Sequence, residues 1–136
     1  MLTVPEQLLL IILDAGKGEF MNLPQEYNRA AFAGAALMEL ALAGRIDSDL
    51  DKVWVVNPVV TGDAALDPVL SAMSALGAST DIERFVDRLV PLGERVREAA
   101  LDSLCHRGVL ERSEQKFCFA SRALPSRFST TRTSLN

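Results

Sequence analysis

Few side chains in this sequence are of types that do chemistry. His106 is the single histidine, and Cys105 stands beside it. A histidine can serve as a general base and a thiol as a nucleophile. Turnover also needs an oxyanion donor, and no serine–acid arrangement of recognisable motif accompanies His106. Its place at the end of an amphipathic stretch suits a solvent-side residue that favours the helix dipole. Cys105 falls on the apolar side of that stretch and reads as a buried core thiol. Cys118, in an alternating strand pattern, reads the same way. Asp47, Asp49 and Asp51 begin like a calcium loop. That loop then needs a glycine and, further on, a bidentate glutamate, where Lys52 and Pro58 stand here. The three acids read as a solvated hairpin turn. Gly16-Lys17-Gly18 lacks the spacing of a phosphate-cradling loop. Glu94, Arg95, Arg97 and Glu98 read as a solvated face with i,i+3 and i,i+4 pairs. Arg97 keeps one further role open, because a guanidinium matches phosphate oxygens two at a time. No catalytic residue, metal site or cofactor is expected.

These residues must be held by elements that the sequence punctuates clearly. Thr3 and Glu6 form a T-x-x-E capping box, which predicts a helix from Val4 to Asp14. Its Leu8–Leu13 run is apolar nearly all round and belongs inside the core. Gly16-Lys17-Gly18 ends it, and residues 19–26, with Pro24, read as an irregular link. Tyr27 to Ala43 is a helix rich in alanine, with Glu39 its only acid, and Gly44 takes the positive-φ position after it. Arg45-Ile46 open a strand and Lys52 to Val56 make its partner. Asn57-Pro58 breaks that strand, Thr61-Gly62-Asp63 turns or caps, and a helix follows from Ala64 to Leu76. Asp81 caps a short helix with Ile82, Phe85, Val86 and Leu89 inward. Pro91-Leu92-Gly93 interrupts. Glu94 to His106 is amphipathic, with Val96, Ala100, Leu101, Leu104 and Cys105 on one face. Gly108 stops it before a second hairpin of Val109–Glu111 and Lys116–Phe119. Helix, glycine and hairpin therefore occur twice. The fold class expected is mainly α with two small β-hairpins.

Composition bounds the rest. The chain has 136 residues, 49% hydrophobic and 24% charged, which suits one globular domain and excludes disorder as the main state. The domain is placed at residues 1–120. Residues 121–136 form a Ser/Thr-rich tail with Arg122, Arg127 and Arg132 and no acid. The first 120 residues hold the other 11 basic groups and all 18 acidic ones, a net −7. Such a balance argues against a phosphate-driven nucleic-acid binder. The longest apolar run, Leu8–Leu13, is far short of the ~20 residues of a membrane span. With no basic start and no cleavage site, a cytoplasmic protein with reduced thiols is expected.

Helices followed by small hairpins are also the ingredients of a winged-helix DNA-binding domain. That fold needs basic or amide side chains on the outer face of the helix before the wing. Ala33 to Ala43 offers none, Glu94 to His106 offers Arg95 and Arg97 but also Glu94, Glu98 and Asp102, and the wing would carry Asp47, Asp49 and Asp51, so this stays the alternative reading.

Four segments point elsewhere: Leu8-Leu9-Leu10; GAALMELALAGRI over 34–46; TGDAALD over 61–67; and RVREAALDSLCHRGVL over 95–110, with its hairpin to Phe119. Together they resemble the Golgi phosphoprotein 3 family, particularly its bacterial members. The resemblance implies a mostly helical fold without catalysis, peripheral at a membrane, binding phosphatidylinositol 4-phosphate or serving as an adaptor. By the same resemblance the family's head-group tryptophan stands at Pro24, and its three arginines at Ala33, Glu94 and Arg97. Only Arg97 keeps the family residue and is the expected head-group contact. Arg122, Arg127 and Arg132 would add electrostatic attraction to an anionic surface. Val90-Pro91-Leu92-Gly93 replaces the family's longer membrane-contacting hairpin. The family domain continues with further helices, so residues 1–120 correspond to its N-terminal two thirds. Faces left uncovered there are expected to take a protein partner or a second copy.

Overall fold

The computed structural model describes residues 1–14, 16–77, 80–113 and 116–120. Helix α1 (Val4–Ile12) starts with the expected box: the Glu6 N–H donates to Thr3 Oγ1 at 3.4 Å, and the Thr3 N–H donates to Glu6 Oε1 at 2.8 Å. It stops at Ile12, short of Asp14, because strand β1 (Leu13–Asp14) pairs antiparallel with β2 (Glu19–Phe20). Part of the segment read as an irregular link is therefore sheet. Nor is the apolar run inside all round. Leu9 and Ile12 are buried, whereas Ile11 is 75% exposed. The acid Glu6, by contrast, is only 2% exposed.

Helix α2 (Gln25–Leu42) ends in a Schellman motif around Gly44, at φ 74°. The Gly44 N–H reaches the Ala41 carbonyl and the Arg45 N–H the Leu40 carbonyl. Arg45 thus completes the helix end, and strand β3 (Ile46–Ser48) begins one residue later than expected. It pairs with β4 (Lys52–Val55), and β5 (Thr80–Asp81) adds a third antiparallel strand. Asp67–Ala75 is α3 and Ile82–Leu89 is α4, whose N-cap is Asp81 as expected. A 3-10 turn over Val90–Leu92 runs directly into α5 (Gly93–His106). The second Schellman motif surrounds Gly108, with Gly108 bonded to Cys105 and Val109 to Leu104. Hairpin β6 (Leu110–Ser113) and β7 (Lys116–Phe119) follows. The two helix–glycine–hairpin units agree even in their closing bond: Val56 returns to the Arg45 carbonyl and Ala120 to that of Val109.

The domain is mainly α, with small antiparallel ribbons on its sides. Leu9, Phe32, Leu40, Val69, Leu70, Leu89, Val96, Leu104 and Leu110 form the buried centre. Each contributes roughly 1.5–3 kcal/mol on burial. Helices α2 and α5 cross at close range because Gly93 has no side chain. A Cβ there would collide with the backbone carbonyl of Arg29. That contact brings the start of α5 onto the first turns of α2.

Candidate functional site

The crossing positions the site. Gln25, Asn28 and Arg29 lie on one side of the first turns of α2, by their i,i+3 and i,i+4 spacing. Gly93, Glu94 and Arg97 lie on the facing side of α5 by the same rule. With Leu23 they line a concavity. The Arg29 Nη2 meets Glu94 Oε2 at 3.4 Å, with side chains 39% and 52% exposed. Among the described residues, Arg29 Nε, Arg97 Nε and Asn28 Oδ1 are buried without a hydrogen-bond partner. Buried polar atoms are usually paired, so three orphans on residues that line one concavity single it out as the candidate site. Two guanidiniums stand here against one carboxylate.

Arg97 is steered by aromatic side chains. Its guanidinium carbon lies 5.1 Å from the Phe20 ring centroid, a cation–π distance. Phe20 rests on Phe117 with centroids 5.4 Å apart, and Arg112 covers the far ring at 5.0 Å. The Phe117 N–H donates to the Gly18 carbonyl at 2.8 Å, which ties the β1–β2 ribbon to β7. Arg97 is therefore not on a solvated face as the i,i+3 and i,i+4 reading has it. Glu94 pairs across to α2, while Arg95 and Glu98 are exposed.

Of the positions assigned by resemblance, Glu94 and Arg97 come together in the concavity. Pro24 is exposed next to Leu23, and Ala33 is buried in the core, 3% exposed. Arg29, one helical turn before Ala33, is not among the residues that the sequence marks. It supplies a second guanidinium, and the spacing rule for one helix face could have flagged it. Arg122, Arg127 and Arg132 lie outside the described residues.

The remaining candidates separate. His106 is exposed in the last turn of α5. Cys105 is half-buried, not a fully buried core thiol, and borders a shallow hollow with Asp102 and Arg112. Burial pushes its thiol above the ordinary range despite Arg112 nearby. Cys118 is also half-buried. The Asp49 carboxylate accepts from the Asp51 and Lys52 N–H groups at 2.8 and 2.7 Å, which closes the hairpin turn and holds its pKa down.

The motif residues at 39–46 and 61–67 are structural. Glu39 Oε1 accepts from the Val4 N–H at 2.8 Å and so pins α1 to α2. Arg45 Nη1 donates to the Val59 carbonyl. Asp67 accepts from the Thr61 N–H and hydroxyl, both at 2.7 Å, and from the Gly62 N–H at 3.0 Å. Burial opposes its charge, but these bonds and Arg45 outweigh burial and lower its pKa. Elsewhere, Val4, Leu8 and Ile11 of α1 and Ala31, Gly34 and Met38 of α2 leave an open apolar hollow. Among the described residues, no helix is long and apolar enough to cross a membrane. A family model described as Golgi phosphoprotein 3 (GPP34) matches residues 4–135. No curated protein and no solved structure matches the chain significantly.

Proposed function

We propose that this chain, which belongs to the Golgi phosphoprotein 3 family, is a non-enzymatic docking domain. It reads a phosphorylated lipid head group, of the phosphatidylinositol 4-phosphate class, at an anionic membrane surface. One observation carries the reading: Arg29, Arg97 and Asn28, each with a buried polar atom left unpartnered among the described residues, line one concavity between α2 and α5. Guanidiniums recognise phosphate by paired, charge-assisted bonds, and an amide beside them suits a hydroxyl of the sugar-like ring. Arg29 compensates for the arginine that Ala33 lacks. The resemblance to the family supports the ligand class. The tail arginines Arg122, Arg127 and Arg132 would strengthen attachment without adding selectivity.

The test is co-sedimentation with phosphatidylcholine vesicles carrying phosphatidylinositol 4-phosphate, or phosphatidylglycerol at matched surface charge. The wild type is expected to prefer the phosphoinositide, and Arg97→Ala to lose about 1.5–3 kcal/mol of that binding. Equal binding to both vesicles, unaffected by R97A, would remove the reading. Stronger retardation of duplex DNA than of either vesicle would favour the winged-helix alternative instead. The exposed Asp47, Asp49 and Asp51 on the hairpin that would serve as the wing argue against that outcome.

A further inference from the structure

We propose that Glu94 is a built-in competitor for the anion, and that it biases the concavity toward phosphate monoesters over diesters. This rests on the reading of the concavity as an anion site and concerns how that site chooses its guest.

A carboxylate already engages one of the two guanidiniums. Glu94 Oε2 lies 3.4 Å from Arg29 Nη2, and both residues line the concavity with Arg97. An arriving anion meets a singly charged rival that is tethered and therefore always present at high local concentration. The rival is also weakly held. The pair is long for a charge-assisted bond, and the Glu94 side chain is 52% exposed, so it can swing into water. Among the described residues Arg97 has no such carboxylate partner, and its Nε is unpaired.

The two phosphate classes then behave differently. A diester carries one negative charge, no more than the carboxylate it would replace. It gains contact at Arg97 and leaves Glu94 on Arg29. A monoester carries about −1.5 to −2 at neutral pH and three free oxygens. It can span Arg29 and Arg97 together, with Glu94 released to solvent. Glu94 thus costs every anion some affinity, and costs the diester the second guanidinium as well. The chemistry recognised is the phosphate monoester, whether on a lipid or free.

The full-length chain is measured against phosphatidylcholine vesicles, plain or bearing phosphatidylinositol 4-phosphate, against phosphatidylglycerol vesicles, and in solution with glycerol 1-phosphate. Glu94→Gln is expected to tighten monoester binding about two- to fivefold, the worth of an exposed ion pair. Diester binding should gain more, so the preference for monoester narrows. Glu98→Gln makes the same charge change on an exposed side chain of α5 outside the concavity and should gain little. In an Arg29→Leu background, E94Q should no longer help. A gain on vesicles alone assigns the monoester to a lipid head group, and a gain with glycerol 1-phosphate as well assigns it to the phosphate itself. Either supports the competitor role. Unchanged or weaker binding by E94Q, while the wild type still prefers monoester vesicles, overturns the role and leaves the anion site standing. An equal gain for E98Q also overturns it. Failure of wild type and E94Q alike to separate anionic from neutral vesicles overturns both the site and its competitor.

Discussion

Glu6 shows how a single buried charge can be held. At 2% exposure its carboxylate gives up water, which favours the neutral form. The Thr3 N–H at 2.8 Å, the Ser103 hydroxyl at 2.8 Å and Arg107 Nη1 at 3.0 Å to both oxygens reverse the balance. Its pKa ends below the usual 4.5. A carboxylate with a lowered folded pKa adds stability above its unfolded value, and that stability is lost as pH falls through the folded one. Arg107→Ala leaves the charge without its cation and should cost about 2 kcal/mol at neutral pH. It should also move the onset of acid unfolding to higher pH. Melting curves recorded from neutral pH down to pH ~3 check both effects; an unshifted acid limb would show that Thr3 and Ser103 suffice. The capping half of this role was legible in the T-x-x-E spacing. The Arg107 half was not, because it joins the first helix to the end of the last, a contact that no local pattern encodes.

The same division holds between elements. Gly44 and Gly108 were readable as helix stops because a positive φ is a local demand, and both end in the same Schellman geometry. Gly93 carries no such sign. Its backbone is ordinary helix, and only the Arg29 carbonyl behind it forbids a side chain. Two alanine substitutions should therefore differ in kind. Gly44→Ala meets open space and costs about 1–2 kcal/mol of backbone strain, much of which Gly44→Asn should recover. Gly93→Ala forces α5 off α2 and should cost about 3 kcal/mol, with no rescue by asparagine. Thermal melts of the four variants decide it, and a mild G93A would mean the helices can slide. The ribbon at Leu13–Phe20 escaped the sequence reading for a related reason. Two-residue strands have no periodicity, and this one is sustained by Phe20 on Phe117 across the molecule.

Across the whole molecule, charge is divided. The chain carries −4 overall, yet the concavity sets two guanidiniums against one carboxylate, and the tail adds Arg122, Arg127 and Arg132. Substituting serine for all three should weaken vesicle binding by about 1 kcal/mol each at low salt and by less as salt screens them. The preference among lipids should persist. A salt titration of vesicle binding checks this, and lost preference would place the selectivity in the tail. The family likeness was legible in the segments at 34–46 and 61–67. Their residues, Glu39, Arg45 and Asp67, turn out to fasten α1, the 56–60 loop and the start of α3. They identify the scaffold and leave the guest to other positions. Arg97 was legible through the likeness and Arg29 was not, since it stands on a different turn of α2 from Ala33. The bare backbone contact at Gly93 has a practical consequence for anyone redesigning the concavity. Since the two helices already touch backbone to backbone there, the shape of the concavity is best altered at its rim, by varying Gln25, Asn28 and Glu94, while the crossing point is left as it is.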